Sequence, residues 1–318
     1  MSCQQVETSQ FISGLSAILP SHRGCVATIG SFDGVHLGHQ AIISRLISEG
    51  RSRGLPSLVM VFEPQPYEFF SREKAPPRLM RLREKVAALI AQGVDRVLCV
   101  KFAPEFRRLS AQAFIDLVLV EKLGISHLVI GDDFRFGCDR AGDFKLLQRE
   151  GAKQGFTVSD TDTLEVEDGR ASSTRVRELL EQNQLDVAAR LLGKPFSICG
   201  RVIYGRQLGR TIGVPTANVG LGRHRSPVRG VFAVSVELEG QELSFQGVAN
   251  VGVKPTVDGR PKPLLEVHIF DFDKQLYGQF IRVNFFLKIR EERKFASVEA
   301  LKEQITLDIE HSKAYFRA

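Results

Sequence analysis

A chain of 318 residues, 43% hydrophobic and 25% charged, has an ordinary globular composition with apolar material for about two separate cores. Its net charge of +6 suits anionic partners such as nucleotides, nucleic acid or membrane surfaces, yet no block of consecutive Lys or Arg forms a basic tail. No segment approaches the ~20 apolar residues of a spanning helix, and the widely spaced Cys3, Cys25, Cys99, Cys138 and Cys199 lack the CxxC pair of a zinc knuckle.

The opening MSCQQVETSQFISGL has no basic region followed by an apolar one, so a cytoplasmic chain with buried free thiols is expected. Val26 to Ile29 then reads as a short buried strand. The next ten residues, Gly30-Ser-Phe32-Asp33-Gly34-Val-His36-Leu-Gly38-His39, lead into a helix with apolar positions at Ala41, Ile42, Ile43, Leu46 and Ile47. Gly34 and Gly38 allow close backbone approach. A helix N-terminus offers free N–H groups and a positive dipole end, which suits phosphate. Two histidines so placed can donate hydrogen bonds to charge that develops on a phosphate during transfer.

Leu58 to Phe62 is a continuous apolar run, as in a strand buried on both faces. Leu82 to Ile90 is helical in period, Val97 to Val100 strand-like, and Ala111 to Leu123 helical up to Gly124. His127 to Ile130 is a strand followed by Gly131-Asp132-Asp133-Phe134-Arg-Phe-Gly137, whose acidic pair can contact a second substrate. A helix at Phe144–Gly151 and a strand at Phe156–Val158 complete a βαβα alternation. That alternation predicts a parallel sheet with helices on both faces and ligands beyond the carboxyl ends of its strands. Ser172-Ser173-Thr174-Arg-Val-Arg177 opens the first of two short helices, near Thr174–Gln182 and Leu185–Leu192. Its hydroxyls, free N–H groups and Arg177 make a second anion site.

Gly193-Lys-Pro195 breaks the pattern, and the predicted domains are 1–193 and 194–318. Beyond it the period is two: Phe232, Val234, Val236 and Leu238; Leu265, Val267 and Ile269; Val283, Phe285, Leu287 and Ile289. Short alternating strands between Gly- and Pro-rich turns predict a small antiparallel barrel, closed by a helix over Val298–Tyr315 with Leu301, Ile305 and Ile309 apolar. The stretch Gly209-Arg210-Thr-Ile-Gly213-Val-Pro215-Thr216-Ala-Asn218 can wrap phosphates with backbone amides, though it is not a GxxxxGK[ST] loop. Glu266 alternates with Leu265 and Val267, so it sits on the opposite strand face and is free to face a site. His268 shares that face and reads as structural, and Asp271 and Asp273 as a polar turn.

HxGH followed by SSTxxR resembles the nucleotidyltransferase superfamily related to class I tRNA synthetases. With GSFDGVHLGH, FEPQP (Phe62–Pro66), GDDFRFG, PTAN, GVANVGVKPT (Gly247–Thr256) and LEVH, the chain from about Cys25 to Tyr315 is similar to the bacterial bifunctional riboflavin kinase/FMN adenylyltransferase (FAD synthetase) family. The resemblance implies that His36, His39 and Arg177 stabilise a pentacovalent α-phosphorus. Gly30, Phe32, Asp33, Gly34, Gly38, Ser172, Ser173 and Thr174 then contact ATP in the first half, and Gly209, Arg210, Gly213 and Pro215 in the second. It implies Mg²⁺ with ATP oxygens on Thr216 and Asn218, and Glu266 as the base for the ribityl 5′-hydroxyl. It places flavin against Phe62, Pro64, Asp132, Asp133 and Phe134 in one half, and Asn250 and Arg290 in the other. Partners are riboflavin, FMN, FAD and ATP, not nucleic acid or membrane. The chain departs from the family's common residues at Gln65 (often His), Ala171 (often Ile) and Lys254 (often Arg). An adenylyltransferase for pantetheine phosphate or a nicotinate nucleotide would account for HxGH but not for PTAN and Glu266. A non-catalytic barrel binding flavin or RNA through the basic stretch Arg201–Arg229 is the alternative from another class.

Overall fold

The computed structural model describes residues 9–71, 74–131, 133–161, 164–166, 169–205, 213–222, 225–241, 243–254 and 262–317. By internal contacts they form two compact units. One holds residues 9–76 and Leu82–Ser172, the other Pro77–Arg81 and everything described from Ser173 on.

The first unit is a six-stranded, all-parallel sheet. Its strands are β1 (Phe11–Ser13), β2 (Val26–Ile29), β3 (Ser57–Glu63), β4 (Arg96–Lys101), β5 (His127–Gly131) and β6 (Thr157–Thr161), in the order β1-β4-β3-β2-β5-β6. The expected strands are all present, and β1 is an edge strand too short to show a period. The helices are α1 (Leu37–Arg53), α2 (Pro66–Ser71), α3 (Leu82–Ala91), α4 (Pro104–Arg107), α5 (Ala111–Ala113) and α6 (Phe144–Gln154). After α5 the chain continues as a π-helix over Phe114–Lys122, where ordinary α-helix is the expectation. The Leu123 N–H reaches five residues back to the Val118 carbonyl, and Phe114, Ile115, Val118 and Leu119 still enter the core. Both faces of β3 are buried from Ser57 to Val61, which is why its sequence is a continuous apolar run rather than an alternation.

Strand order runs outward from β2 through β3 to β4, then crosses to β5 on the other side of β2. The sheet's switch point therefore lies between β2 and β5, and their carboxyl ends lead into the Gly30–His36 and Gly131–Gly137 loops. A crevice opens at such a point because the two connections leave in opposite directions.

The second unit begins with α7 (Ser173–Glu181) and α8 (Leu185–Leu192), which pack together. Next come β7 (Ser197–Ile203), β8 (Ala217–Gly220), β9 (Gly230–Leu238), β10 (Ser244–Lys254), β11 (Lys262–Ile269) and β12 (Phe280–Arg290), then α9 (Val298–Arg317). The six strands close into an antiparallel barrel in the order β10-β11-β8-β7-β12-β9. The period-two residues Leu265, Val267, Val234, Val236, Val283 and Phe285 fill its interior, each almost wholly buried. No helix among the described residues is long and apolar enough to cross a membrane. Cys25, Cys99, Cys138 and Cys199 form no disulfides, and burial pushes the Cys25 thiol up to about 12, far from a reactive thiolate.

At the amino ends of β5 and β6, away from the crevice, the nearly buried His127 faces Thr157 Oγ1 at 2.6 Å and Ser159 Oγ at 2.9 Å. Burial, and then the Arg53 guanidinium, hold its pKa below the usual 6.5. As pH falls through 6.5 the unfolded chain therefore takes up a proton before the folded one does, and stability is lost down to the folded-state pKa. The urea midpoint of this unit should drop between pH 8 and pH 5, and His127→Gln should flatten that drop.

Candidate functional site

His36 is the N-cap of α1, and its Nδ1 accepts the His39 backbone N–H at 3.4 Å. A neutral imidazole accepting at Nδ1 carries its proton on Nε2, so that nitrogen is a donor. The His36 and His39 rings stack with centroids 3.7 Å apart. Phe32, only 2% exposed, packs its ring 4.9 Å from that of His39 and across Gly30. The turn that makes this possible is strained: Phe32 (φ 46°) and Val35 (φ 44°) join Gly34 (φ 91°) in the left-handed region. Buried Asp33 receives the Tyr67 hydroxyl at 3.5 Å, linking this loop to α2.

Gly38 in the first turn of α1 has a specific task. A Cβ there would lie 2.8 Å from the Ala171 carbonyl oxygen and 3.2 Å from the His36 ring. Its bare Cα lets the residue before Ser172 rest on the histidine turn, which brings the SSTRVR segment's entry to the HxGH segment. The neighbouring loops bring the rest. Phe62 closes β3 among Phe102 and Phe106, at 5.8 and 5.6 Å, and a cis peptide links Glu63 to Pro64. Beyond β5, Phe134 stacks on Phe136 at 5.6 Å, and exposed Asp133 pairs with Arg170 at 2.9 Å. Three strand ends thus deliver aromatic surface, acidic side chains and an imidazole pair to the crevice side of the sheet.

The barrel holds a separate polar set. Cross-strand register puts Glu266 of β11 directly opposite Asn218 of β8 on one side and Asn250 of β10 on the other. Such partners have Cβ atoms ~5 Å apart on one face, so the carboxylate is flanked by two amides. Asn218 is buried and lies across Gly205, where any Cβ would collide with its amide. Thr216 precedes Asn218 by two residues, and the His268 Nδ1–H donates to the Pro215 carbonyl at 2.8 Å, tying that segment to β11. Thr216, Asn250, Glu266 and Arg290 line one cavity of about 300 Å³, closed on its apolar side by Val248, Leu301 and Ile305. Arg290 ends β12, with its guanidinium on Asp308 of α9, and Glu292 just beyond lies over Gly252 and pairs with Arg229 at 3.0 Å.

Known proteins match both halves. Residues 18–175 fit the family model described as FAD synthetase, and residues 192–316 the one described as riboflavin kinase. A bifunctional riboflavin kinase/FMN adenylyltransferase of Pseudomonas fluorescens is 53% identical over 96% of this chain and 97% of its own length. The protein of that name from Escherichia coli K12 is 52% identical over 92% and 93%. The chain belongs to the bifunctional riboflavin kinase/FMN adenylyltransferase family. A solved structure from Streptococcus pneumoniae, named as a macrolide-efflux protein, shares the fold with a TM-score of 0.77 at 31% identity, covering 94% of this chain and 97% of that one.

For a riboflavin kinase/FMN adenylyltransferase, the residues expected from sequence fall into three groups. Gly30, Phe32, Asp33, Gly34, His36, Gly38, His39, Phe62, Pro64, Asp133, Phe134 and Ser172 lie in the sheet unit. Ser173, Thr174, Arg177, Gly213, Pro215, Thr216, Asn218, Asn250, Glu266 and Arg290 lie in the barrel unit, where the Arg177 Nε donates to the Pro77 carbonyl at 2.7 Å. Asp132, Gly209 and Arg210 lie outside the described residues. Sequence reasoning missed Asp308 and Glu292. Asp308 had one signal, a lone acid on the same helical face as Leu301 and Ile305.

Helix propensity alone favours Ala over Gly at position 38 by up to ~1 kcal/mol. The clash with Ala171 and His36 reverses this, so Gly38→Ala should destabilise the sheet unit by ~1–3 kcal/mol in urea unfolding.

Proposed function

We propose that the barrel phosphorylates riboflavin to FMN with ATP, and that the sheet unit adenylylates FMN to FAD with a second ATP. The observation that carries the first reaction is the seat of Glu266 between two asparagines in a cavity with an apolar wall. An isoalloxazine ring suits the apolar side of Val248, Leu301 and Ile305, and its ribityl chain the polar side. The 5′-hydroxyl attacks the γ-phosphorus of ATP, Glu266 takes the hydroxyl proton, and ADP leaves. Asn250, whose Oδ1 is buried without a partner, holds substrate polar groups beside that carboxylate.

Thr216 and Asn218 fit Mg²⁺ chemically. Both offer neutral oxygens, Thr216 just before β8 and Asn218 within it, and Gly205 leaves the Asn218 amide its place. When bound, the ion neutralises phosphate charge. The protein's own part is to hold these oxygens beside Glu266.

In the sheet unit, an FMN phosphate oxygen attacks the α-phosphorus of ATP and pyrophosphate leaves. The His36 Nε2–H and the His39 ring, at the positive end of α1, donate to the charge that builds on the phosphoryl oxygens. Phe32 backs the His39 ring, and the strained turn holds both imidazoles in place before substrate arrives. The aromatic ends of β3 and the loop after β5 suit the flavin ring. We set the division of labour at residue 193, beyond the FAD synthetase match that ends at residue 175 and just inside the riboflavin kinase match that begins at residue 192.

The two reactions are then separable. Glu266→Gln should lower FMN formation by ~10²–10⁴-fold and leave FMN-to-FAD conversion intact, and His36→Ala should do the reverse, with products resolved by chromatography. Loss of both activities in either folded variant sinks the assignment. Thr216→Val should raise the Mg²⁺ concentration needed for half-maximal FMN formation without altering that for FAD formation.

A further inference from the structure

The helix α9 is seated by polar side chains as well as by apolar ones such as Ile309 and Phe316. Its two buried residues are Asp308, 2% exposed, and Ser312, whereas Leu301, Ile305 and Ile309 are only partly covered. Asp308 uses both carboxylate oxygens. Oδ1 accepts the Arg290 Nε at 2.9 Å and the Gln304 amide at 2.8 Å, and Oδ2 accepts the Arg290 Nη2 at 2.7 Å. Arg290 is otherwise committed too, with Nη1 on the Glu291 carbonyl at 2.9 Å and its carbon 5.6 Å from the centre of the Phe295 ring. One turn further on, the Ser312 hydroxyl donates to the Gly247 carbonyl of β10 at 2.9 Å.

We propose that Asp308 is a positioning residue for flavin binding: by fixing Arg290 it sets the azimuth of α9, so that Leu301 and Ile305 present the apolar wall of the riboflavin cavity. This rests on reading that cavity as the riboflavin site. Residues 301, 305 and 308 lie on one helical face, and all three line the cavity. Partly covered apolar side chains tolerate rotation of a helix, whereas a two-pronged ion pair does not. Arg290 terminates a barrel strand, so the pair ties the helix to the closed barrel. The reacting groups are not in this chain of contacts. Glu266 and Asn218 stand on β11 and β8, while α9 packs on β9, β10 and β12. Loosening the helix therefore weakens flavin binding without displacing the groups that act on the γ-phosphorus.

Asp308→Asn in the full chain keeps the volume and removes the charge and one prong. The expected result is a KM for riboflavin raised about tenfold or more, with kcat changed less than about threefold. KM for ATP and the rate of FMN adenylylation should be unchanged. Because Asp308 acts through Arg290, adding it to Arg290→Lys should raise KM little beyond Arg290→Lys alone. An unchanged KM, a fall in kcat alone, or full additivity overturns the proposal. Should Asp308→Asn not fold, Gln304→Ala removes the amide on Oδ1 and must raise the same KM to a smaller extent; no rise there is equally fatal. Ile305→Trp distinguishes the two readings. If it leaves KM for riboflavin unchanged, the cavity is not the flavin site and both fall. If it raises KM while Asp308→Asn does not, the positioning role alone is lost.

Discussion

The chemistry of the barrel depends on strand register. Glu266 stands between two amides only because Asn218 and Asn250 lie opposite it on the two adjoining strands. Side chains alternate with a period of two, so a slip of one residue in β11 would turn Glu266 inward and bring Leu265 and Val267 out. Closure protects against that slip, since each strand is paired on both sides and the inward set of Leu265, Val267, Val234 and Phe285 fits a single arrangement. The same packed interior that stabilises the fold thereby fixes a carboxylate between two amides. The alternation also gives β11 two tasks, one face for the core and the other for the polar set around Glu266.

The sheet unit positions its groups by different means. Its imidazoles are not on a strand but at a helix start, where the chain leaves the switch point of a parallel sheet. The backbone there adopts left-handed conformations at Phe32 and Val35, which side chains ordinarily avoid and which cost of order 1–3 kcal/mol each. The surrounding packing holds that strain. Phe32 and Val35 are each 2% exposed, Asp33 1% and His36 4%. In one unit precision comes from ladder geometry and in the other from a tightly wedged turn, and both leave few polar side chains free to wander.

Much of this was legible in the sequence, for reasons that differ by element. The apolar run Leu58–Phe62 and the alternation around Glu266 are direct consequences of burial on two faces or on one, so strand type followed. The HxGH turn announced itself because its glycines and histidines make sense only at a helix start. The three residues of β1 carry no period. The π-helical stretch at Phe114–Lys122 is hydrophobic enough that its composition fits any buried helix. The last helix holds more than its apolar spacing shows. Leu301, Ile305 and Ile309 are partly covered, and the residues most withdrawn from solvent are Asp308 and Ser312. A buried carboxylate is stable only with a partner, and Arg290 lies 18 residues away, where no local pattern reaches. Asn218, Glu266 and Asn250 were each recognised by resemblance, but their adjacency is a matter of register, which only the folded strands display.

The parallel sheet, unlike the barrel, has two borders. On one is β1, three residues long, and on the other β6, whose Thr157, Ser159, Asp160 and Thr161 are polar. A border strand carries unpaired backbone groups able to recruit a strand from another molecule, and the danger grows with its length and greasiness. The apolar runs of β3 and β2, which would be the most adhesive if exposed, occupy the middle of the sheet. The sheet thus keeps its most hydrophobic strands in the middle and leaves at its borders a short strand and a polar one, the segments least able to template pairing with another chain.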